Sequence, residues 1–254
     1  MARITSVSDI KSVDLNADVG EECGDDAALM RCITSANVAC GAHAGSGATM
    51  RETVIRAAEH GVGVGAHPSF PDREHFGRRE MHLRSAEILD LVIRQIDALA
   101  TIAAKEGIRL IHVKPHGALY NVAVRDRGVA DAIAGAVASI DRSLVLLGLP
   151  GSQLLAAAQA AGLQTAGEAF ADRAYRADGT LVPRTEPGAV IHDPEEVLAR
   201  IAALAARPDV ATICVHGDTP GAAELASNIR AALQAAKFEV KNLSSSRFRD
   251  ERTP

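Results

Sequence analysis

Ionisable and small residues collect in short stretches along this chain, each following an apolar or β-branched run. VDLNADVGE carries Asp14, Asn16, Asp18 and Glu21; SANVACGAHAG carries Asn37 and His43; GAHPSFPD carries His67 and Asp72. HVKPHGALYN brings His112, Lys114, His116, Tyr120 and Asn121, GEAFADRAY brings Glu168, Asp172, Arg173 and Tyr175, and ICVHGDTP brings His216 and Asp218. A lone histidine at such a place is most often a satisfied core or capping residue. Five of the nine histidines (His43, His67, His112, His116, His216) beside carboxylates and glycines point instead to one shared site. Asp14, Asn16 and Asp18 share a face if their strand stays extended, because side chains repeat every two residues. Asp18 with His43 and His67 makes a carboxylate–imidazole set suited to Zn²⁺ or another divalent ion. Such an ion would polarise a carbonyl and acidify a bound water; a hydrogen-bonded network that holds substrate without metal is the alternative. Lys114, fixed ahead of Pro115, and Arg173 offer cations to a carboxylate or phosphate. The Arg78–Arg79 pair reads equally well as structural.

These residues need a scaffold that gathers strand ends. The candidate strands are Ser12–Leu15, Ser35–Cys40, Val62–Ala66, Leu110–Val113, Ser143–Leu147, Gln164–Glu168, Ala211–Val215 and Phe238–Asn242, with Ala189–Ile191 a weaker ninth. Helical patterns lie between them. Ile88, Leu91, Val92, Gln95, Ile96, Leu99 and Ile102 hold one stripe at helical spacing with a single polar interruption. Asp193-Pro194-Glu195-Glu196 reads as an N-cap with Pro at N1 and a capping box, Thr219-Pro220 opens another helix, and Gly61 closes one running from about Gly47 to His60. Strand–helix alternation through eight or so units implies a parallel sheet covered by helices, and a barrel rather than an open doubly wound sheet. In such folds the working residues stand at the carboxyl ends of the strands. No linker divides the chain, so residues 1–243 are expected to form one (β/α)-barrel domain, with 244–254 a frayed polar tail.

The composition excludes several classes. The 254 residues carry 27 Lys+Arg against 32 Asp+Glu, a net charge of −5, which does not suit a phosphate-tracking nucleic-acid surface. Aromatic residues are only 3% with no Trp, which argues against a base-stacking platform. No apolar run reaches signal-peptide or membrane-spanning length, so a cytoplasmic location is expected. Cys23, Cys32, Cys40 and Cys214 form no C-x-x-C pair and are expected to be reduced thiols. The glycine motifs of Rossmann and Walker nucleotide sites and the G-x-S-x-G elbow are absent from the sequence.

Taken together and in order, VDLNADVGE, GDDAALM, SANVACGAHAG, GVGVGAHPSFPD, FGRREM, VKPHGALYN, GEAFADRAY with LVPR, and ICVHGDTP resemble the LamB/YcsF family, that of the A component of bacterial ATP-dependent 5-oxoprolinase. The likeness runs from Val13 to Pro220. Two departures lie near the expected barrel mouth: Glu22-Cys23 before Gly24-Asp25-Asp26, and Ser46-Gly47 after CGAHAG, where the family usually has Asp-Pro. The resemblance implies an irregular, seven-stranded barrel similar to glycoside hydrolase and deacetylase barrels. It also implies opening of 5-oxo-L-proline to L-glutamate coupled to ATP hydrolysis, with partner subunits B and C. On that basis Asp18, His43, His67 and His116 are the expected catalytic set, with Asp18 or a metal-bound water deprotonating the nucleophile. Asn16, Lys114, Tyr120, Arg173 and His216 are expected to bind substrate. Two rival readings stay open: a stand-alone metal-dependent deacetylase or amidohydrolase, and a non-catalytic subunit that presents substrate to its partners.

Overall fold

The computed structural model describes residues 11–217 and 221–244. Strand β1 (Ser12–Val19) is buried at every position but its first. Val13, Leu15, Ala17 and Val19 join the main apolar core together with side chains of the surrounding helices. Asp14, Asn16 and Asp18 take the other face, so the usual polarity of a half-buried strand is inverted. Five more strands follow the order of the chain around the ring: β2 (Ser35–Ala39), β3 (Gly63–His67), β4 (Leu110–Val113), β5 (Val145–Gly148) and β6 (Gln164–Phe170). β7 (Thr212–Val215) then pairs with β1, and β1 with β2, to close a seven-stranded parallel barrel. The register sets Asn16 opposite both Ser35 and Cys214, and Asp18 opposite Asn37. A two-residue β8 (Glu239–Val240) pairs with β1 at Ser12 and Val13, outside the ring. Towards the strand starts, Val145, Ala166 and Ala211 form a small separate apolar cluster with Leu147 and Leu243.

Among the described residues, eight α-helices surround the barrel: α1 (Asp26–Leu29), α2 (Gly47–Glu59), α3 (Ser85–Lys105), α4 (Gly117–Arg125), α5 (Arg127–Ile140), α6 (Gln153–Ala160), α7 (Pro194–Ala206) and α8 (Ala222–Ala235). Along α3, Ile88, Leu91, Val92, Ile96 and Leu99 are buried, each large side chain contributing roughly 1.5–3 kcal/mol by leaving water. Gln95, the polar interruption in that stripe, is buried too. It donates to Ser69 O at 2.8 Å and accepts from Ser69 N at 3.0 Å, pinning the loop after β3.

The eight main expected strands are present, most with shifted ends. β1 runs four residues beyond Leu15, because pairing on both sides overrides the poor strand propensity of Asn16, Ala17 and Asp18. Ala189–Ile191 supplies only an isolated bridge between Arg173 and Val190. Asp193 caps α7 with Pro194 at N1, but its carboxylate accepts from Glu195 N at 2.9 Å rather than closing a capping box. Asp218, the Thr219-Pro220 helix start and residues 245–254 lie outside the described residues.

Candidate functional site

The inward side chains of the strands form a polar column. At its lower level Asp14, fully buried, accepts from Thr34 Oγ1 at 2.7 Å and from Ser35 Oγ and Thr212 Oγ1 at 2.6 Å each. Burial raises its pKa to about 6 despite those three donors. Above it Asn16 donates to Thr212 Oγ1 and Glu168 Oε1, and accepts from Asn37 Nδ2 at 2.7 Å. Asn37 Nδ2 also donates to Asp18 Oδ1 at 2.8 Å, while Asn37 Oδ1 accepts from His112 Nε2 at 2.7 Å. The His112 ring lies directly over Gly65, where any β-carbon would collide with it. Burial, and then Lys114, push the His112 pKa down to about 3, so the ring is neutral. Lys114, just past β4, reaches Glu168 Oε1 at 2.9 Å and Asp18 Oδ1 at 3.0 Å. Burial works against both charges, yet each is kept: Lys114 is held well above its usual range by Asp18, and Asp18 well below its own by His67 and Lys114.

Three histidines, His43, His67 and His116, and two carboxylates, Asp18 and Glu21, crowd the column's upper end. His67 Nδ1 lies 2.7 Å from Lys114 O, and His116 Nε2 lies 2.8 Å from Phe76 O. A carbonyl oxygen only accepts, so both of those nitrogens carry hydrogen. Phe76 adopts a left-handed φ of 55°, an uncommon backbone for a bulky residue, while presenting its carbonyl there. The remaining nitrogens, His67 Nε2 and His116 Nδ1, then face each other at 3.0 Å, with Asp18 Oδ1 3.3 Å from the first and Glu21 Oε1 3.5 Å from the second. Two neutral rings would oppose lone pairs at that point. The geometry requires positive charge there, either a proton or a metal cation. Asp18, Glu21, His67 and His116, all buried, each present a ligand atom to one another within 4.8 Å. Hard oxygen and imidazole donors of this kind fit a divalent ion.

His43 stands apart from that donor group, unlike the set read from sequence. Its Nδ1 bonds Ser69 Oγ at 2.9 Å and its Nε2 bonds Glu21 Oε1 at 3.0 Å, so both nitrogens are committed. Its ring stacks on His116 at 3.9 Å, and burial, with His67 beside it, lowers its pKa to about 3. Cys40 is buried, and burial raises its thiol to about 12, the behaviour of a structural thiol.

A cavity of about 710 Å³ opens over this floor. Asp18, His67, Lys114, His116, Tyr120, Arg173 and His216 all line it, as does Arg184. Asn16 does not: it lies beneath the floor with no exposed surface and supports Lys114 and Asn37. His216 Nδ1 faces both oxygens of Asp172, at 2.8 and 2.9 Å, which leaves Nε2 of the ring uncommitted among the described residues. Arg173, buried, donates from Nε to Ala189 O and from Nη2 to Val182 O, and no described residue accepts from its Nη1. Burial, with Arg184 next, lowers its pKa to about 10. The Tyr120 hydroxyl is buried near the Glu168 carboxyl, and burial, then Glu168, raises its pKa well above the usual value.

Residues 13–248 match the LamB/YcsF family. The chain belongs to that family. A lactam utilization protein from Thermus thermophilus is 44% identical, with a TM-score of 0.83, covering 91% of this chain and 99% of its own. Two more distant structures share the fold alone. A putative cellobiose-phosphate cleavage protein from Enterococcus faecalis is 14% identical with a TM-score of 0.56, over 91% of this chain and 97% of its own. The catalytic domain of a peptidoglycan N-acetylglucosamine deacetylase from Eubacterium rectale is 13% identical with a TM-score of 0.54, over 93% and 90%. VDLNADVGE, SANVACGAHAG, GVGVGAHPSFPD, VKPHGALYN, GEAFADRAY with LVPR and, as far as residue 217, ICVHGDTP supply the column and its mouth. Glu168 and Cys214 gained no role from the sequence, although the inward parity of β6 and β7 marks them: Ala166, Glu168, Phe170 on one strand, and Thr212, Cys214, His216 on and just past the other. Glu21 sits past the end of β1, where parity no longer speaks.

Proposed function

We propose that this chain is a hydrolase subunit that opens the ring amide of 5-oxo-L-proline, acting with partner subunits B and C and with ATP as co-substrate of the assembled complex. The observation that supports this most is the 44% identity to a lactam utilization protein over nearly the whole chain. The cavity adds groups suited to the chemistry. Asp18 stays ionised and oriented by Asn37, Lys114 and His67, and accepts the hydrogen bond of the attacking water. As the carbon–nitrogen bond breaks, the ring nitrogen needs a proton, and His216, its Nδ1 fixed by Asp172, presents Nε2 to deliver it. The unused Nη1 of Arg173 receives the substrate carboxylate. A divalent ion held by Asp18, Glu21, His67 and His116 would polarise the lactam carbonyl. ATP makes physical sense because a five-membered lactam recloses readily, and ring opening needs an external drive.

The test is glutamate formation from 5-oxo-L-proline by the reconstituted three-subunit system. Omitting this chain or ATP should stop turnover, and His67→Ala should abolish it; full turnover by His67→Ala would retire the assignment. The buried donor group also favours a second reading, an ATP-independent metal-dependent amidohydrolase or deacetylase. Metal analysis with an ATP-free assay on N-acetylated sugars separates the two.

A further inference from the structure

Lys114 Nζ sits among four acceptors: Glu168 Oε1 at 2.9 Å, Asp18 Oδ1 and Cys214 Sγ at 3.0 Å each, and Asn16 Oδ1 at 3.2 Å. An ammonium donates three hydrogen bonds and carries one charge. Here it is outnumbered on both counts, by four acceptors and by two carboxylates. Glu168 Oε2, fully buried, makes no hydrogen bond among the described residues. Asp18, Cys214 and His216, without Glu168, present ligand atoms within 4.8 Å of one another. Carboxylate, thiolate and imidazole together are a donor combination that suits Zn²⁺. Asp18 belongs also to the group formed with Glu21, His67 and His116. Two donor sets thus share one carboxylate, the plan of a two-metal hydrolytic centre, and an ammonium already bonds two atoms of the second set, Asp18 Oδ1 and Cys214 Sγ.

We propose that Lys114 is the built-in second cation of a two-cation centre, and that Asp18, Cys214 and His216 take a zinc-type divalent ion once the ammonium is withdrawn. The proposal deepens the reading of Asp18 as a site residue but leans on nothing about lactams. It gives Lys114 a task other than binding substrate: its charge is spent on the floor of the site, and an exchangeable ion is confined to the Glu21–His67–His116 side.

Cobalt(II) binding to the purified full-length chain tests this without substrate or partners, since a thiolate ligand to cobalt gives a charge-transfer band. Wild type should show no such band at any cobalt concentration that leaves it folded. Lys114→Ala should take up one equivalent of cobalt more than wild type and gain the band, and adding Cys214→Ser should remove it. If Lys114→Ala folds only with zinc present, thermal unfolding reports the same binding as stability. A thiolate band in wild type, a folded Lys114→Ala that takes up no more cobalt than wild type, or a variant that zinc does not restore would each overturn the proposal. Failure of the lactam reading leaves all three results unchanged.

Discussion

Gly65→Ala probes the polar column at its tightest point. An ideal Cβ there would lie well under 3.0 Å from Cδ2, Nε2 and Cε1 of His112, closer than real Cβ contacts come. The ring has no exposed surface and cannot swing out. Overpacking of this kind costs about 1–3 kcal/mol, and a displaced ring loses the bond to Asn37 Oδ1, worth about 1 kcal/mol net. The expected loss of unfolding free energy is therefore about 2–4 kcal/mol, read from urea denaturation at unchanged slope. His112→Ala should cost a comparable amount, about 2–4 kcal/mol, because it leaves a void and the same missing bond. The double variant decides the matter. Its methyl group enters the void, so it should be more stable than the sum of the two losses predicts, by roughly 1–3 kcal/mol. Additivity within about 0.5 kcal/mol would refute the argument that Gly65 is the seat of the ring.

Two further outcomes follow from the buried titratable groups. His43 and His112 are lowered to about 3 and His116 is also lowered; the unfolded chain binds their protons below about pH 6.5 and the folded chain does not, so stability should fall as pH drops from about 6.5 towards 3. Asp14, raised to about 6, opposes this, since its contribution is present at low pH and lost as pH rises through about 6. Unfolding near pH 5 should take up about two protons net, measured by the pH dependence of the urea midpoint; a midpoint flat from pH 7 to 4 would contradict these environments. Asp172→Asn should lower turnover in the reconstituted system by roughly 10²-fold or more while leaving thermal unfolding within a few degrees, because it removes only the group that orients His216. Unchanged turnover would remove His216 from the proton-delivery role.

Much of the barrel was legible in the sequence because strand–helix alternation and the α3 stripe are local patterns. Leu110–Val113 matches its strand end for end, and the α2 limits fall within a residue of those expected. What the sequence did not show depends on the ring being closed. Asn16 reads as a mouth residue until pairing with β2 and β7 places it a level below Asp18. The histidine cluster was visible as a set of strand-end residues, but not which members meet. That is fixed by the loop after β3, where Gln95 holds Ser69 and Ser69 holds His43. The same loop offers the Phe76 carbonyl that turns His116 towards His67 and Glu21.

β1 is bonded along both edges while it carries Asp14, Asn16 and Asp18 on a single face. Inserting or deleting one residue near its start would shift its reading frame against both neighbours, turning Val13, Leu15 and Ala17 inward and three polar groups out among the helices. A slip in β1 would have to be taken up on both edges at once, whereas the irregularity of β3 between Val64 and Gly65 lies against β4 alone. Length changes in this segment would cost the barrel itself, whereas loops beyond the strand ends, other than the pinned loop after β3, can vary in length and so reshape what the cavity admits.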